Sequence, residues 1–382
     1  MKIDNFKIED WFNAYERLSK YDMADTCVES LSLNGLFEIV GDKELHLENI
    51  LNKKLNYGDI QGSERLKSAI SGMYKSVKKD NITVTHGAIG ANQLVMLSMV
   101  ERGDEVVSII PTYQQHYSIP KSFGADVKIV FLKEKNDWLV DVEELEKVVT
   151  KNTKIICMNN PNNPTGAVLP REVMNKIVEI ARKNDCYILC DEVYRGLEHD
   201  GRVSDSIVDI YEKGISTGSM SKVFSLAGLR LGWIVASDEV MEKVVVQREY
   251  NTISVSSVDD YFSSIALENR DKIIDRNLKI ILRGKNIVSK WIESEPLISW
   301  VEPKGGTTAL IKYDVDMTSV ELCKKLLGDT GVLFLPGDTL EMEGYLRVGY
   351  CSDVRTLQTG LEIFSEWLNT IRHCLTCTIA ND

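Results

Sequence analysis

From residue 81 onward the chain alternates between two hydrophobic rhythms. Short runs of apolar and β-branched residues at 81–85, 104–110, 127–132, 153–159 and 186–191 read as strands. Between them, 93–100, 142–149 and 170–184 carry apolar positions at helical spacing, with Asp141 capping the second. A further helix is expected before the strand at 127–132. Strands that alternate with helices imply crossover connections, a mostly parallel sheet, and ligands gathered outside the carboxyl ends of the strands. The expected fold class is therefore α/β, a three-layer sandwich built on that sheet.

The flanking regions have a different rhythm. Ile8, Trp11, Phe12 and Tyr15 form a short amphipathic start, and the alternating run 30–35, closed by Gly35, reads as an arm and a first strand. Gly58 and Gly62 punctuate a segment that ends in a cap at Ser63, followed by a helix with Leu66, Ile70 and Met73 on one face. Basic residues at 75–79 suit that helix's C-terminal end. Residues 257–292 read as one long helix or a helix pair, and beyond them short strands (310–313, 332–335, 345–348) mix with helices (319–327, 354–371). This predicts a large domain over 41–289 and a smaller α+β domain from 1–40 and 290–382.

A chain of 382 residues is too long for one core, which agrees with two domains. With 43% hydrophobic and 27% charged residues, its composition is that of an ordinary globular protein. The net charge of −12, with no concentrated basic face, argues against nucleic-acid or anionic-membrane partners. Early carboxylates exclude a secretory signal, and no apolar run reaches membrane-spanning length, so a cytoplasmic protein is expected. The 8 cysteines read as small buried hydrophobes. Cys374 and Cys377 form a lone CxxC, which is weak evidence for a metal, and no metal site is expected.

Candidate chemistry collects at the predicted strand ends. His-Gly-Ala-Ile-Gly (86–90) lies where a strand hands over to a helix, so the amides of Gly87, Ala88 and Ile89 can either turn the chain or face an anion. Ser219, Ser221 and Arg230 add phosphate donors, although both GxxxxGK[ST] and GxGxxG are absent. Lys222 stands among those hydroxyls with Arg230 eight positions on; a second cation would lower its amine pKa and favour attack on an aldehyde. Asp191 is either a helix cap or a carboxylate opposite a heteroaromatic nitrogen. Asn163 and Tyr194 can hydrogen-bond a ring hydroxyl, and Tyr113 can stack on the ring. A phosphate, an aldehyde and a basic ring nitrogen together describe pyridoxal 5'-phosphate.

Four motifs strengthen this reading: Asn-Pro-Thr-Gly (163–166), Asp-Glu-Val-Tyr (191–194), Ser-Met-Ser-Lys with Gly-Leu-Arg-Leu-Gly-Trp within 219–233, and Leu-Arg-Val-Gly-Tyr (346–350). In these the chain resembles fold-type I, class I/II aminotransferases of the aspartate aminotransferase superfamily, over about residues 30–365. The resemblance implies that Lys222 forms the Schiff base, Asp191 pairs with the pyridine nitrogen, Asn163 and Tyr194 bind the ring oxygen, and Tyr113 stacks. It also implies that Gly87, Ala88, Ser219, Ser221 and Arg230 hold the phosphate. Tyr57 is similar to a tyrosine that reaches the neighbouring subunit's phosphate, which implies a homodimer with shared sites. Arg347 matches an arginine that clamps the substrate α-carboxylate, and Gly35 a glycine near that carboxylate. The substrates implied are an amino acid and a 2-oxo acid. One departure stands at Gly35, where Leu-Phe-Glu-Ile follows in place of an acidic residue and proline.

Other functions share these residues. A C–S lyase, a decarboxylase or a cyclase like capreomycidine synthase would use the same cofactor. Gly-Ile-Ser-Thr-Gly (214–218) matches the GxSxG elbow of serine hydrolases, with His373 downstream, but lacks the strand-to-helix context. SxxK is present at 219–222 without its companion motifs. A transcription regulator would need a basic DNA-binding module, for which the chain has no room ahead of the arm.

Overall fold

The computed structural model describes residues 2–379, of which 373–379 by backbone alone. Side chains of His373, Cys374 and Cys377 thus lie outside the described residues. Among the described residues thirteen strands occur in chain order: β1 (Tyr21–Asp22), β2 (Ile82–His86), β3 (Glu105–Ile110), β4 (Asp126–Phe131), β5 (Thr153–Asn159), β6 (Tyr187–Asp191), β7 (Gly214–Ser219), β8 (Leu231–Val235), β9 (Ile298–Trp300), β10 (Thr308–Tyr313), β11 (Val332–Leu333), β12 (Leu335–Pro336) and β13 (Tyr345–Gly349). The helices are α1 (Lys7–Tyr15), α2 (Leu33–Val40), α3 (Lys43–Leu51), α4 (Glu64–Ser71), α5 (Gly87–Met99), α6 (Gln115–Phe123), α7 (Val142–Val148), α8 (Arg171–Asn184), α9 (Asp238–Asn251), α10 (Ser257–Glu268), α11 (Arg270–Ser294), α12 (Ser319–Thr330) and α13 (Val354–Ile379).

The main sheet has the order β2-β8-β7-β6-β5-β3-β4. All neighbours pair in parallel except those of β8, which runs antiparallel to both β2 and β7. Alternate residues of each central strand enter different cores. Ile155 and Cys157, with Tyr187 and Leu189, pack with α5 and α9 on one face; Ile156 and Met158, with Ile188 and Cys190, pack with α8 on the other. Burial on both faces explains why these strands read as continuous apolar runs. It also makes three layers of an α/β fold.

A second sheet, β12-β13-β10-β9, is antiparallel throughout. The arm joins this side of the molecule through β1, which pairs in parallel with β11. That corrects the strand expected at 30–35. Ser32 is an N-cap, its Oγ accepting from the Gly35 amide at 3.1 Å, and the leucine alternation leads into α2, which buries Leu36 and Phe37. Gly35 is thus an ordinary first-turn residue.

Other expectations also shift. The helix after β2 begins at Gly87, six residues earlier than its apolar spacing suggested, because its first turn carries glycines. α4 ends at Ser71, and the basic residues beyond it form a turn in which Lys75 pairs with Asp205 rather than ending a helix. Of the two readings of 257–292, the helix pair is the one observed, divided at Asn269. β7 and β8 were not anticipated, β7 because Gly-Ile-Ser-Thr-Gly-Ser is nearly devoid of apolar side chains although wholly buried.

α11 crosses close to β13's end. A Cβ at Gly284 would stand 1.7 Å from the Tyr350 carbonyl oxygen. Gly284→Ala is accordingly expected to lower the stability by about 3 kcal/mol, read from the denaturant midpoint; an unchanged midpoint would mean that this approach is not tight.

Candidate active site

The carboxyl ends of β2, β3, β5, β6 and β7 open on a cavity of about 550 Å³. β8 runs backwards, so its first residues meet the last of β7, and Arg230, just before it, arrives on the same rim. Sheet topology alone therefore collects residues far apart in sequence at one mouth.

Asp191 ends β6 as a buried carboxylate. Its Oδ2 accepts from Asn92 Nδ2 at 2.8 Å and its Oδ1 from the Val193 amide at 3.1 Å. Burial pushes its pKa up to about 6, against the opposing pull of Asn92, Val193 and Lys222. Asn92 is fixed in turn by the Thr217 hydroxyl, which donates to its Oδ1 at 2.8 Å. Neither Asn92 nor Thr217 was foreseen; the available signal was that Asn92 follows Ala88 by one helical turn on α5.

Lys222 lies in the loop after β7, half-buried. Its Nζ donates to Thr26 Oγ1 at 2.6 Å and to Cys27 Sγ at 3.2 Å. Desolvation lowers the ammonium pKa, but Tyr194, Cys27 and Asp25 outweigh it and leave it raised. This corrects the expected depression. Arg230, which was to depress it, is turned away, with Nη1 donating to the Ala227 carbonyl at 2.9 Å and to Ser221 Oγ at 3.4 Å.

Arg230 adopts a left-handed φ of 46°, a conformation that costs energy for a non-glycine residue and persists where surroundings impose it. Gly87 faces it with φ +67, and a Cβ there would stand 2.8 Å from Arg230 Nη2. The glycine keeps the start of α5 open to an anion between its amides and the guanidinium. Ala88, Ile89, Ser219 and Ser221 line the same end of the cavity.

At the opposite end, Arg347 is 2% exposed. Nη2 donates to the Ala24 carbonyl at 2.8 Å and Nη1 to Asn163 Oδ1 at 3.3 Å, while Nε has no partner. Burial lowers its pKa. The buried Tyr194 hydroxyl makes no well-formed hydrogen bond, with Thr26 only a loose neighbour, and burial raises its pKa. Tyr113 donates to Glu9 Oε1 at 3.0 Å, and burial followed by the Glu9 charge raises its pKa.

The cavity thus brings together nearly all of the residues singled out from the sequence. Gly87 stands behind the lining, against Arg230, and two lie apart: Gly35 sits inside α2 and lines no part of it, and Tyr57 is 77% exposed on the chain's surface. Thr26 and Cys27, from the loop after β1, stand beside Lys222 and line the cavity, whereas Gly35, expected near the substrate carboxylate, does not. Ser216, the candidate elbow nucleophile, is mid-strand in β7 and donates to Glu192 Oε2 at 2.8 Å. That geometry removes the strand-to-helix elbow.

These groups fit the expected cofactor part by part. The unpartnered Tyr194 hydroxyl suits a ring oxygen, the buried Asp191 carboxylate a protonated ring nitrogen, and the Gly87–Arg230 cradle a phosphate. Among the described residues no cluster suited to a metal ion occurs, and no helix is long and apolar enough to cross a membrane.

Comparison with known proteins gives a consistent picture. The sequence profile for aminotransferase class I and II matches residues 36–364. A PLP-dependent aminotransferase from Streptococcus suis has a solved structure with a TM-score of 0.94 and 41% identity, covering 97% of this chain and 99% of that one. Capreomycidine synthase from Streptomyces vinaceus is 27% identical over 95% of this chain and 93% of its own length. Aspartate aminotransferase from Pyrococcus horikoshii is 30% identical over 79% of this chain and 80% of its own.

Proposed function

Because the chain belongs to the class I and II aminotransferase family, we propose that it moves an amino group from an amino acid to a 2-oxo acid, with Lys222 as the proton-shuttling base. Its cofactor is pyridoxal 5'-phosphate. When bound, that group supplies an aldehyde to carry the amine and a protonated ring to accept electrons. The observation that carries the reading is that Lys222, Asp191 and Arg347 line one cavity.

Each residue has a distinct task in it. Arg347, buried with one nitrogen unpartnered, takes the substrate's α-carboxylate, and Asn163 on its Nη1 steadies the guanidinium. This fixes the Cα–H bond relative to Lys222. The Lys222 amine would be the base that takes the Cα proton and hands it across the transferring nitrogen. Thr26 and Cys27 hold Nζ in place between these moves. Asp191, oriented by Asn92 and Thr217, keeps a proton on the ring nitrogen. Ile8 and Phe12 on α1 cover the mouth and limit water.

The proposed unit is a homodimer in which Tyr57 serves the neighbouring site. In support, Leu51, Leu55, Tyr57 and Ile60 are all exposed on one stretch of chain, as are Tyr250 and Ile253.

To test the function, the visible absorption of the purified protein is followed as a pool of amino acids is added. Loss of the bound cofactor's band, its return with a 2-oxo acid, and formation of a new 2-oxo acid support transfer. A second reading, cyclisation or elimination on the same cofactor, is favoured by the likeness to capreomycidine synthase across 95% of the chain. A product of unchanged nitrogen count, or release of ammonia, would replace the first reading by the second.

Arg347→Lys should raise KM for the donor and for the 2-oxo acid by about 10- to 100-fold, since lysine cannot make the bidentate contact. An equal KM would show that the α-carboxylate is bound elsewhere.

A further inference from the structure

We infer that the amino donor carries a positively charged group on its side chain and that Glu9 recognises it. The inference rests on the amino-transfer reading of the site and follows from its charges. Three cations line the cavity: Lys222, Arg230 and Arg347. The aldehyde, the phosphate and the α-carboxylate engage all three. A second substrate carboxylate would therefore find no cation within this chain's cavity. Two carboxylates line it, Asp191 and Glu9. Asp191 is committed to the ring nitrogen, so Glu9 is the charge left over.

Glu9 is placed to serve. It stands on α1 with Ile8 and Phe12, at spacings that put all three on the helix's inner side, and all three line the cavity. Methylene groups of a long side chain would pack on Ile8 and Phe12, with an ammonium or guanidinium beyond them at the carboxylate. One Glu9 oxygen accepts from Tyr113; no other side-chain partner is found among the described residues.

α1 is also held on both sides. Toward the small sheet, Trp11 Nε1 donates to the Phe334 carbonyl at 3.1 Å and Lys7 pairs with Glu341 at 2.9 Å. Toward the large sheet, Gln114 Nε2 donates to the Asn5 carbonyl at 2.7 Å and Lys121 pairs with Asp4 at 2.9 Å. A carboxylate on such a strap is set in position before any substrate arrives. A first-turn acid also suits the helix dipole, but Asp10 meets that need without facing the cavity.

The test compares ornithine, lysine and arginine with norleucine and glutamate, on the holoenzyme and its Glu9→Gln variant. Glutamine still accepts from Tyr113 but has no charge. Cationic donors should bind the unaltered protein at least about 10-fold more tightly than norleucine, and Glu9→Gln should erase that margin while leaving norleucine unchanged. The margin should also shrink as salt rises. Preference for norleucine or glutamate would overturn the inference. So would an equal loss for every donor, which would make Glu9 only a positioning residue for Tyr113. Affinities are read by calorimetry as well as by turnover. Binding then judges Glu9 even if no donor yields a 2-oxo acid, a result that would count against amino transfer instead.

Discussion

Lys222→Ala is expected to fold normally and to lose amino transfer by at least about 10⁴-fold, the upper end of what a positioned acid–base group contributes. The expectation is large because one amine does two things. In the proposed reaction it would be both the nucleophile toward the aldehyde and the base that moves the Cα proton. Lys222 is the lysine lining this cavity, so no neighbouring ammonium can substitute. Stability should hardly change. The alanine gives up the Nζ bonds to Thr26 and Cys27, and the buried Asp191 carboxylate, which loses one opposing charge, keeps its bonds from Asn92 and Val193. Thermal unfolding of the variant beside a 2-oxo acid assay would check both halves. A variant that kept a tenth of the activity would remove Lys222 from the chemistry.

The residues that carry chemistry were legible where they interrupt a hydrophobic run. Asp191 ends an apolar strand, Gly87 opens a helix after one, and Lys222 follows a run of small residues; each is a local break that the eye finds without a partner. The arm was not legible in the same way. Thr26 meets Lys222 across 196 positions of sequence, and Glu9 meets Tyr113 across 104, so nothing near either one announces the contact. Gly35 shows the cost of reading a glycine as a turn: Ser32 capping it from three residues back made that stretch helical. The expected depression of Lys222 failed for a related reason. Sequence spacing put Arg230 close, but its left-handed backbone turns the guanidinium to the phosphate side, and the groups that do face Lys222 come from the arm and from β6's end.

α1 therefore has a larger role than its nine residues suggest. Ile8, Glu9 and Phe12 line the cavity at which the strands end, and the segment that carries them is anchored toward both sheets. The inferred specificity then resides on the element least predictable from the β–α alternation that reveals the cofactor site. That division is physical: the proposed cofactor contacts sit at strand ends fixed by the core, whereas the proposed side-chain recognition sits on what is laid over them.

Asp191→Asn should slow amino transfer by about 10²- to 10³-fold, the loss usual when one preorganised electrostatic partner of the reacting system is removed. Asparagine fits the same space but cannot hold a proton on a ring nitrogen. The same substitution gives an independent reading in the cofactor-free protein. Burial raises Asp191 from an ordinary 3.8 to about 6. A carboxyl raised on folding stabilises the folded state fully below the lower value, where both states are protonated, and that contribution disappears as pH climbs through the higher one. Stability of the unaltered protein relative to Asp191→Asn should therefore fall by about 3 kcal/mol in all as pH climbs from about 3 to about 7, about 2 kcal/mol of it between pH 4 and pH 6, and then level off. Taking the difference between the two proteins cancels the other titrating groups and the fixed cost of exchanging one acceptor for an amide. Denaturant unfolding across that range would measure it. A flat difference would mean that the Asp191 carboxylate is not desolvated; a falling difference with undiminished turnover would mean that it is desolvated but faces no ring nitrogen.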